Sequence, residues 1–131
     1  MTDETPTAAW PPAVRWEDIP SEEARPGVVR RGFGTDNVLL VMHELAPDME
    51  LSPHSHAFDQ IAVITSGEAV YHVGDQHHKV TPGSVLLIPA GVTHNIEPTG
   101  SEPVGNLDVF APCRDDYRHL IEWMRPPSSR R

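Results

Sequence analysis

The chain has 131 residues and one cysteine, Cys113, so it has room for one compact domain and none for an intrachain disulfide. Ten Lys and Arg stand against nineteen Asp and Glu, and the net charge of -9 disfavours nucleic acid and anionic membrane surfaces as partners. Hydrophobic residues make up 38%, enough for one modest core, yet no apolar run reaches the roughly 20 residues of a membrane-spanning helix.

Residues 1–26 read as an extended N-terminal arm, because Pro6, Pro11, Pro12, Pro20 and Pro26 remove backbone donors and block helix. The opening Met-Thr-Asp-Glu-Thr-Pro lacks the basic start and apolar stretch of a secretory leader, and a lone thiol suits a reducing compartment. The expected location is therefore cytoplasmic. Trp10, Trp16 and Ile19 give the arm an apolar side that can dock on its own domain or on a second subunit.

From Val28 onward short apolar segments alternate with Gly, Pro, Asp and Asn. Strands are predicted at Val38–Leu45, Ile61–Thr65, Ala69–Val73, His77–Val80, Val85–Ile88 and Val104–Phe110, with Gly74-Asp75 as a hairpin turn. Many short strands with regular turn signals indicate an all-β sandwich or barrel, here assigned to residues 27–112. Residues 113–131 read as a short C-terminal helix and tail. Within it Asp115–Met124 has helical spacing, with Tyr117, Leu120, Ile121 and Met124 on one side.

The chemistry concentrates in His54-Ser55-His56-Ala57-Phe58-Asp59-Gln60. Side chains alternate along extended backbone, so His54, His56 and Gln60, all even, share a face. Two imidazoles and an amide oxygen can then converge on one cation. A fourth ligand must come from another strand, and His94, just after the Pro89-Ala90-Gly91 turn, is the natural candidate. The other histidines, His43, His77, His78 and His119, read as ordinary surface or hydrogen-bonded residues. Tyr71 and His72 lie on opposite faces of one strand, so one of them points inward; either could serve the site as hydrogen-bond donor, fifth ligand or proton shuttle. Cys113 reads as structural.

These segments resemble the two signatures of the cupin superfamily. The first, a His-x-His pair followed by an acid or amide and a glycine, is His54, His56, Gln60 and Gly67. The second, a glycine, a Pro-x-Gly and a histidine, is Gly83, Pro89, Gly91 and His94. The resemblance implies a cupin double-stranded β-helix, or jelly-roll barrel, with one divalent transition metal (Zn, Ni, Fe or Mn) inside one end. The usual glutamate of the first signature is Gln60 here, and Pro98 replaces an asparagine sometimes found in the second. An all-neutral ligand set leaves the cation's charge uncompensated, which strengthens it as a Lewis acid and as an attractor of oxygen-rich or anionic ligands.

A third segment, Asn106 to Tyr117, is similar to the end of the small cupins of the KdgF type, which convert unsaturated monouronates to linear keto forms. Their Asp-x-Phe-x-x-x-Arg pattern maps onto Asp108, Phe110 and Arg114. The resemblance implies Asp108 as general acid or base, Arg114 as holder of an anionic group, and Phe110 as part of the substrate pocket. Asp108 interrupts an apolar strand, where a carboxylate is costly unless paired or coordinating, and that also favours function. The expected activity is a metal-dependent enzyme acting on a small oxygen-rich substrate by Lewis-acid and proton-transfer chemistry, of lyase, isomerase or cyclase type. It would either linearise an unsaturated uronate or cyclise a polyketide, as cupins similar to RemF do. An iron-dependent dioxygenase and a non-catalytic binder of metal and small ligand are the rival readings. Small cupins commonly dimerise, so a homodimer is expected.

Overall fold

The computed structural model describes residues 11–126. Trp10 and the rest of the arm before it, together with the tail after Pro126, lie outside the described residues. Nine strands form among the described residues: β1 (Glu22–Arg25), β2 (Val28–Gly34), β3 (Leu39–Leu45), β4 (Gln60–Ser66), β5 (Ala69–Val73), β6 (Gln76–Val80), β7 (Val85–Ile88), β8 (His94–Pro98) and β9 (Val104–Phe110). They pair antiparallel into a six-stranded sheet, β1-β2-β3-β9-β4-β7, and a three-stranded sheet, β6-β5-β8. The chain passes from one sheet to the other at β4–β5, β6–β7, β7–β8 and β8–β9, which rolls the two sheets into a double-stranded β-helix. No helix among the described residues is long and apolar enough to cross a membrane.

The alternation seen in the sequence sets the core. Leu39, Val41 and Leu45 on β3, Ala62 and Ile64 on β4, Tyr71 and Val73 on β5, and Val104 and Phe110 on β9 all turn inward and are buried. Each large apolar side chain so buried contributes about 1.5–3 kcal/mol against leaving it in water. Three strands, β1, β2 and β8, were not marked by apolar alternation. Their inward positions carry Arg, Gly or His in place of a run of Val, Leu and Ile. The sheet also starts earlier than residue 27, since β1 falls inside the stretch read as arm and pairs with β2. The arm docks on its own barrel at Ile19, which is buried and whose carbonyl accepts from Arg31 Nε at 3.1 Å.

The C-terminal segment Asp115–Met124 is helical, as its spacing predicted, but it is a 3₁₀ helix. The expected face docks: Leu120 is buried, Tyr117 and Ile121 pack on the same core cluster, and Met124 Sδ accepts from Gly34 N–H at 3.2 Å; with three residues per turn, Trp123 joins them at i+3 from Leu120. Leu120 is buried against Gly32 of β2, so close that a Cβ on Gly32 would stand 2.5 Å from Leu120 Cβ. Trp123 donates from Nε1 to the Gly32 carbonyl at 3.0 Å and its ring lies against Phe33. A glycine in the middle of β2 is thus the seat of the segment that carries Tyr117 to the mouth of the barrel.

Candidate metal centre

His54 and His56 lie in the segment leading into β4, and His94 opens β8. Two devices clamp these pieces together. His54 and His94 exchange a pair of backbone hydrogen bonds, N–H to carbonyl at 3.0 and 2.8 Å, as an isolated antiparallel bridge. The Pro89-Ala90-Gly91-Val92 turn, in which Val92 N–H donates to the Pro89 carbonyl, directs Gly91 N–H onto the His56 carbonyl at 2.7 Å. Gly91 has φ +81°, a region that L side chains rarely enter, and this accounts for the glycine of the second signature. Asp59 Oδ1 accepts from Ala90 N–H on the same turn.

The rings are fixed before any ion is considered. His54 Nδ1 donates to the Ser52 carbonyl at 2.8 Å, His56 Nδ1 to the Phe58 carbonyl at 2.8 Å, and His94 Nδ1 to the Val92 carbonyl at 2.9 Å. With Nδ1 protonated and committed, each Nε2 presents a lone pair. One nitrogen from each of the three rings gathers within 4.8 Å of the others. Gln60, first residue of β4 and buried, brings Oε1 to 2.9 Å from His56 Nε2. His94 Nε2 is buried and has no hydrogen-bond partner among the described residues.

A lone pair set against an amide oxygen and an orphaned buried nitrogen are each unfavourable, and a cation among them would relieve both. The residues present therefore fit a metal ion. The neutral His-His-Gln-His donor set suits a divalent transition metal, and the carbonyls behind each imidazole are the usual supports of metal-binding histidine.

The donors open into a cavity of about 140 Å³ whose wall includes Arg30, His43, Gln60, Tyr71, Asp108 and Arg114. Tyr71 is the inward member of the Tyr71–His72 pair and is buried; its hydroxyl donates to Asn106 Oδ1 at 3.4 Å. Asn106 Nδ2 donates to Asp108 Oδ1 at 2.8 Å. Asp108 is buried between Val41 and Ala62 on the flanking strands. Burial pushes its carboxyl up to about 7, against the opposing pull of the Asn106 and Gln60 amides and of Arg114. Burial, helped by the Asp108 charge, also drives the Tyr71 hydroxyl above its usual range, so it remains a donor.

Arg114 is held on three sides. Its guanidinium lies 3.8 Å from the centroid of Tyr117, 4.8 Å from Phe58 and 4.9 Å from Phe110. Its Nε and Nη2 bind the two carboxylate oxygens of Asp116 at 3.0 and 2.7 Å. Phe110 is buried and also lines the cavity, so it is core and wall at once.

One site residue expected from the sequence is not in the cavity. His72 points to the outer face of β5, where it meets His77 and Glu97, because Tyr71 and Val73 occupy the inward parity. One residue read as ordinary is in it. His43 sits on the inward face of β3, with Nδ1 3.4 Å from Asp108 Oδ2 and without a hydrogen-bond partner for that nitrogen among the described residues. Burial lowers its imidazole to about 4, so it is neutral near pH 7. Its signal was available: His43 continues the Leu39, Val41, Leu45 parity, the inward one. Arg30 was also missed; it is held by Glu22 at 2.7 Å and lies 4.6 Å from the Tyr117 centroid.

The Cupin domain family model matches residues 41–110, the span that holds all four proposed ligands and Asp108. The chain is a cupin. An uncharacterised protein of Streptomyces coelicolor is 31% identical over 101 residues, covering 76% of this cupin and 95% of that protein. Among solved structures, KdgF from a Halomonas species aligns with a TM-score of 0.68 at 21% identity, over 76% of this cupin and 94% of that chain. An RmlC-like cupin from Shewanella frigidimarina aligns with a TM-score of 0.72 at 22% identity, over 79% and 93%. At these identities the solved structures establish the shared fold. Cupins commonly bind a metal, in keeping with the three-histidine cluster.

Proposed function

We propose that this cupin is a metal-dependent enzyme of proton-transfer type acting on a small, oxygen-rich anion. The observation that carries the reading is Asp108, a carboxylate buried in the cavity wall with its affinity for protons raised into the neutral range. An acid so placed takes up and returns a proton near pH 7. The Asn106 amide and, behind it, the Tyr71 hydroxyl hold its orientation. Arg114 uses Nε and Nη2 on Asp116, leaving Nη1 for an anionic group of the substrate. A divalent ion held by His54, His56, Gln60 and His94 would supply Lewis acidity toward a substrate oxygen.

Within this class we favour the opening of an unsaturated uronate to its keto form, the reaction that the Asp108, Phe110, Arg114 pattern implies, over polyketide cyclisation. The test is an absorbance assay of an unsaturated uronate with purified protein loaded in turn with zinc, nickel, iron or manganese. Loss of the enol-acid absorbance should depend on the metal and stop on chelation. No acceleration with any metal would remove the uronate reading. Oxygen uptake would instead place the protein among dioxygenases, and recovery of a tightly held, unchanged ligand among binding modules.

We further propose a homodimer. On the outer face of the six-stranded sheet two cross-strand rows, Leu87–Ile61–Val109–Leu40 and Val85–Val63–Leu107–Met42, set eight apolar side chains together without a charge. Val85 and Leu87, on the edge strand β7, are 65% and 57% exposed. A second copy laid on this face removes it from water. Light scattering should give twice the 14.5 kDa chain mass, and Leu87→Lys should shift it toward one chain. A single-chain mass across a dilution series of the wild type would exclude the dimer.

A further inference from the structure

A second histidine pair lies outside the barrel, on the three-stranded sheet. His72 of β5 and His77 of β6 are direct cross-strand partners, and the inward burial of Tyr71 and Val73 leaves His72 on the outer face. Their Nδ1 atoms are 2.7 Å apart, with the rings at 72° to one another. On the other side, Glu97 of β8 brings Oε1 to 2.8 Å from His72 Nε2.

A carboxylate only accepts, so His72 Nε2 carries the proton and, in the neutral ring, its Nδ1 is a bare lone pair. That lone pair is aimed at a second imidazole. A carboxylate that fixes the tautomer of one histidine, whose free nitrogen faces another, is the arrangement that orients metal-binding histidines. Directly opposed strand positions hold the two rings on rigid backbone, so no loop has to be ordered to bring them together.

We infer that the outer face of this sheet is a second metal site, distinct from the cavity. Nδ1 of His72 and Nδ1 of His77 ligate a divalent ion that favours imidazole, such as copper, nickel or zinc, and Glu97 is the positioning residue behind His72. An ion about 2.0–2.1 Å from each nitrogen needs the two roughly 3 Å apart. His77 is exposed and opens the present spacing by that small amount when the ion replaces the proton between the rings. The remaining coordination positions go to water. The chain's net charge of -9 favours cation capture at such a surface.

The experiment is calorimetric titration of chelator-stripped full-length protein with zinc and with copper, on the wild type, His72→Gln, His77→Gln, Glu97→Gln and His94→Ala. The outer equivalent should be absent from His72→Gln and from His77→Gln and present in His94→Ala, which separates this site from the cavity. Glu97→Gln should keep the equivalent and weaken it about 10- to 100-fold. Both histidine changes are at solvent-facing positions, and circular dichroism confirms that each variant is folded. If His77→Gln takes up as many equivalents of both ions as the wild type, the inference fails.

Discussion

Asp108→Asn is expected to lower turnover about 10²–10⁴-fold while leaving the barrel folded. The carboxyl has no arginine bound to it directly; amides satisfy it, and its flanking neighbours on either strand, Val41 and Ala62, are 0% exposed. A carboxylate in such a place costs stability, which is tolerated where the group has a task. Asparagine keeps the shape and can still accept from Asn106, but it neither takes up nor releases a proton. Turnover is to be measured beside metal content and thermal unfolding. Replacing a buried ionisable group by a neutral one of the same size should not lower the unfolding temperature. Retained metal with lost turnover assigns Asp108 to proton transfer. Full turnover in the variant would exclude that role.

Phe110→Ala should destabilise the protein by about 3–5 kcal/mol. Phe110 ends β9, is 2% exposed, and packs with Leu39, Val41, Cys113 and Leu120. Its ring meets Phe58 edge-on at 5.7 Å, His56 at 6.0 Å and Tyr117 at 6.1 Å. Truncation opens a cavity where the barrel wall, the 3₁₀ segment and the metal centre meet. Against a typical total of about 5–15 kcal/mol, that is a large share. Urea unfolding reads it as a lower midpoint at unchanged slope. A loss below about 1 kcal/mol would show that Phe110 is wall only. Arg114 loses one of its three aromatic faces in the same variant, so KM for an anionic substrate should rise as well.

The parts of the molecule legible in the sequence are those where one residue type has one use. Gly91 must adopt positive φ, the His-x-His pair must share a face, and Val104–Phe110 must alternate because one face is buried. Spacing, read together with the resemblance to the two cupin signatures, therefore pointed to the four candidate donors, and alternation to the strand bearing Asp108. What escaped depended on partners far away in the chain. Strands β1 and β2 carry arginines on half-buried positions, Arg30 satisfied by Glu22 and the Tyr117 ring, Arg25 and Arg31 by the carbonyls of Glu50 and Ile19, so they lack an apolar pattern. His43 was discounted because a lone histidine says little by itself; its parity with Leu39, Val41 and Leu45 points it inward, and β9 then sets Asn106 opposite it. Strand parity established that only one of Tyr71 and His72 could face inward. Choosing between them needed the second sheet, whose closure sends Tyr71 toward Asn106. The seat of the C-terminal segment is Gly32, far away in the chain, on which Leu120 and Trp123 dock, and no periodicity in residues 115–124 announces it.

The three imidazoles of the centre are each tethered through Nδ1 to a main-chain carbonyl two residues away, at Ser52, Phe58 and Val92. Such rings have surrendered their rotational freedom during folding, so an arriving ion has little disorder left to remove. The empty and the loaded barrel should therefore share one outline, with exchange of the ion a local event at the rim. Cargo of this sort is chosen by supply as much as by affinity, and the same polypeptide could work with different elements as their availability changes.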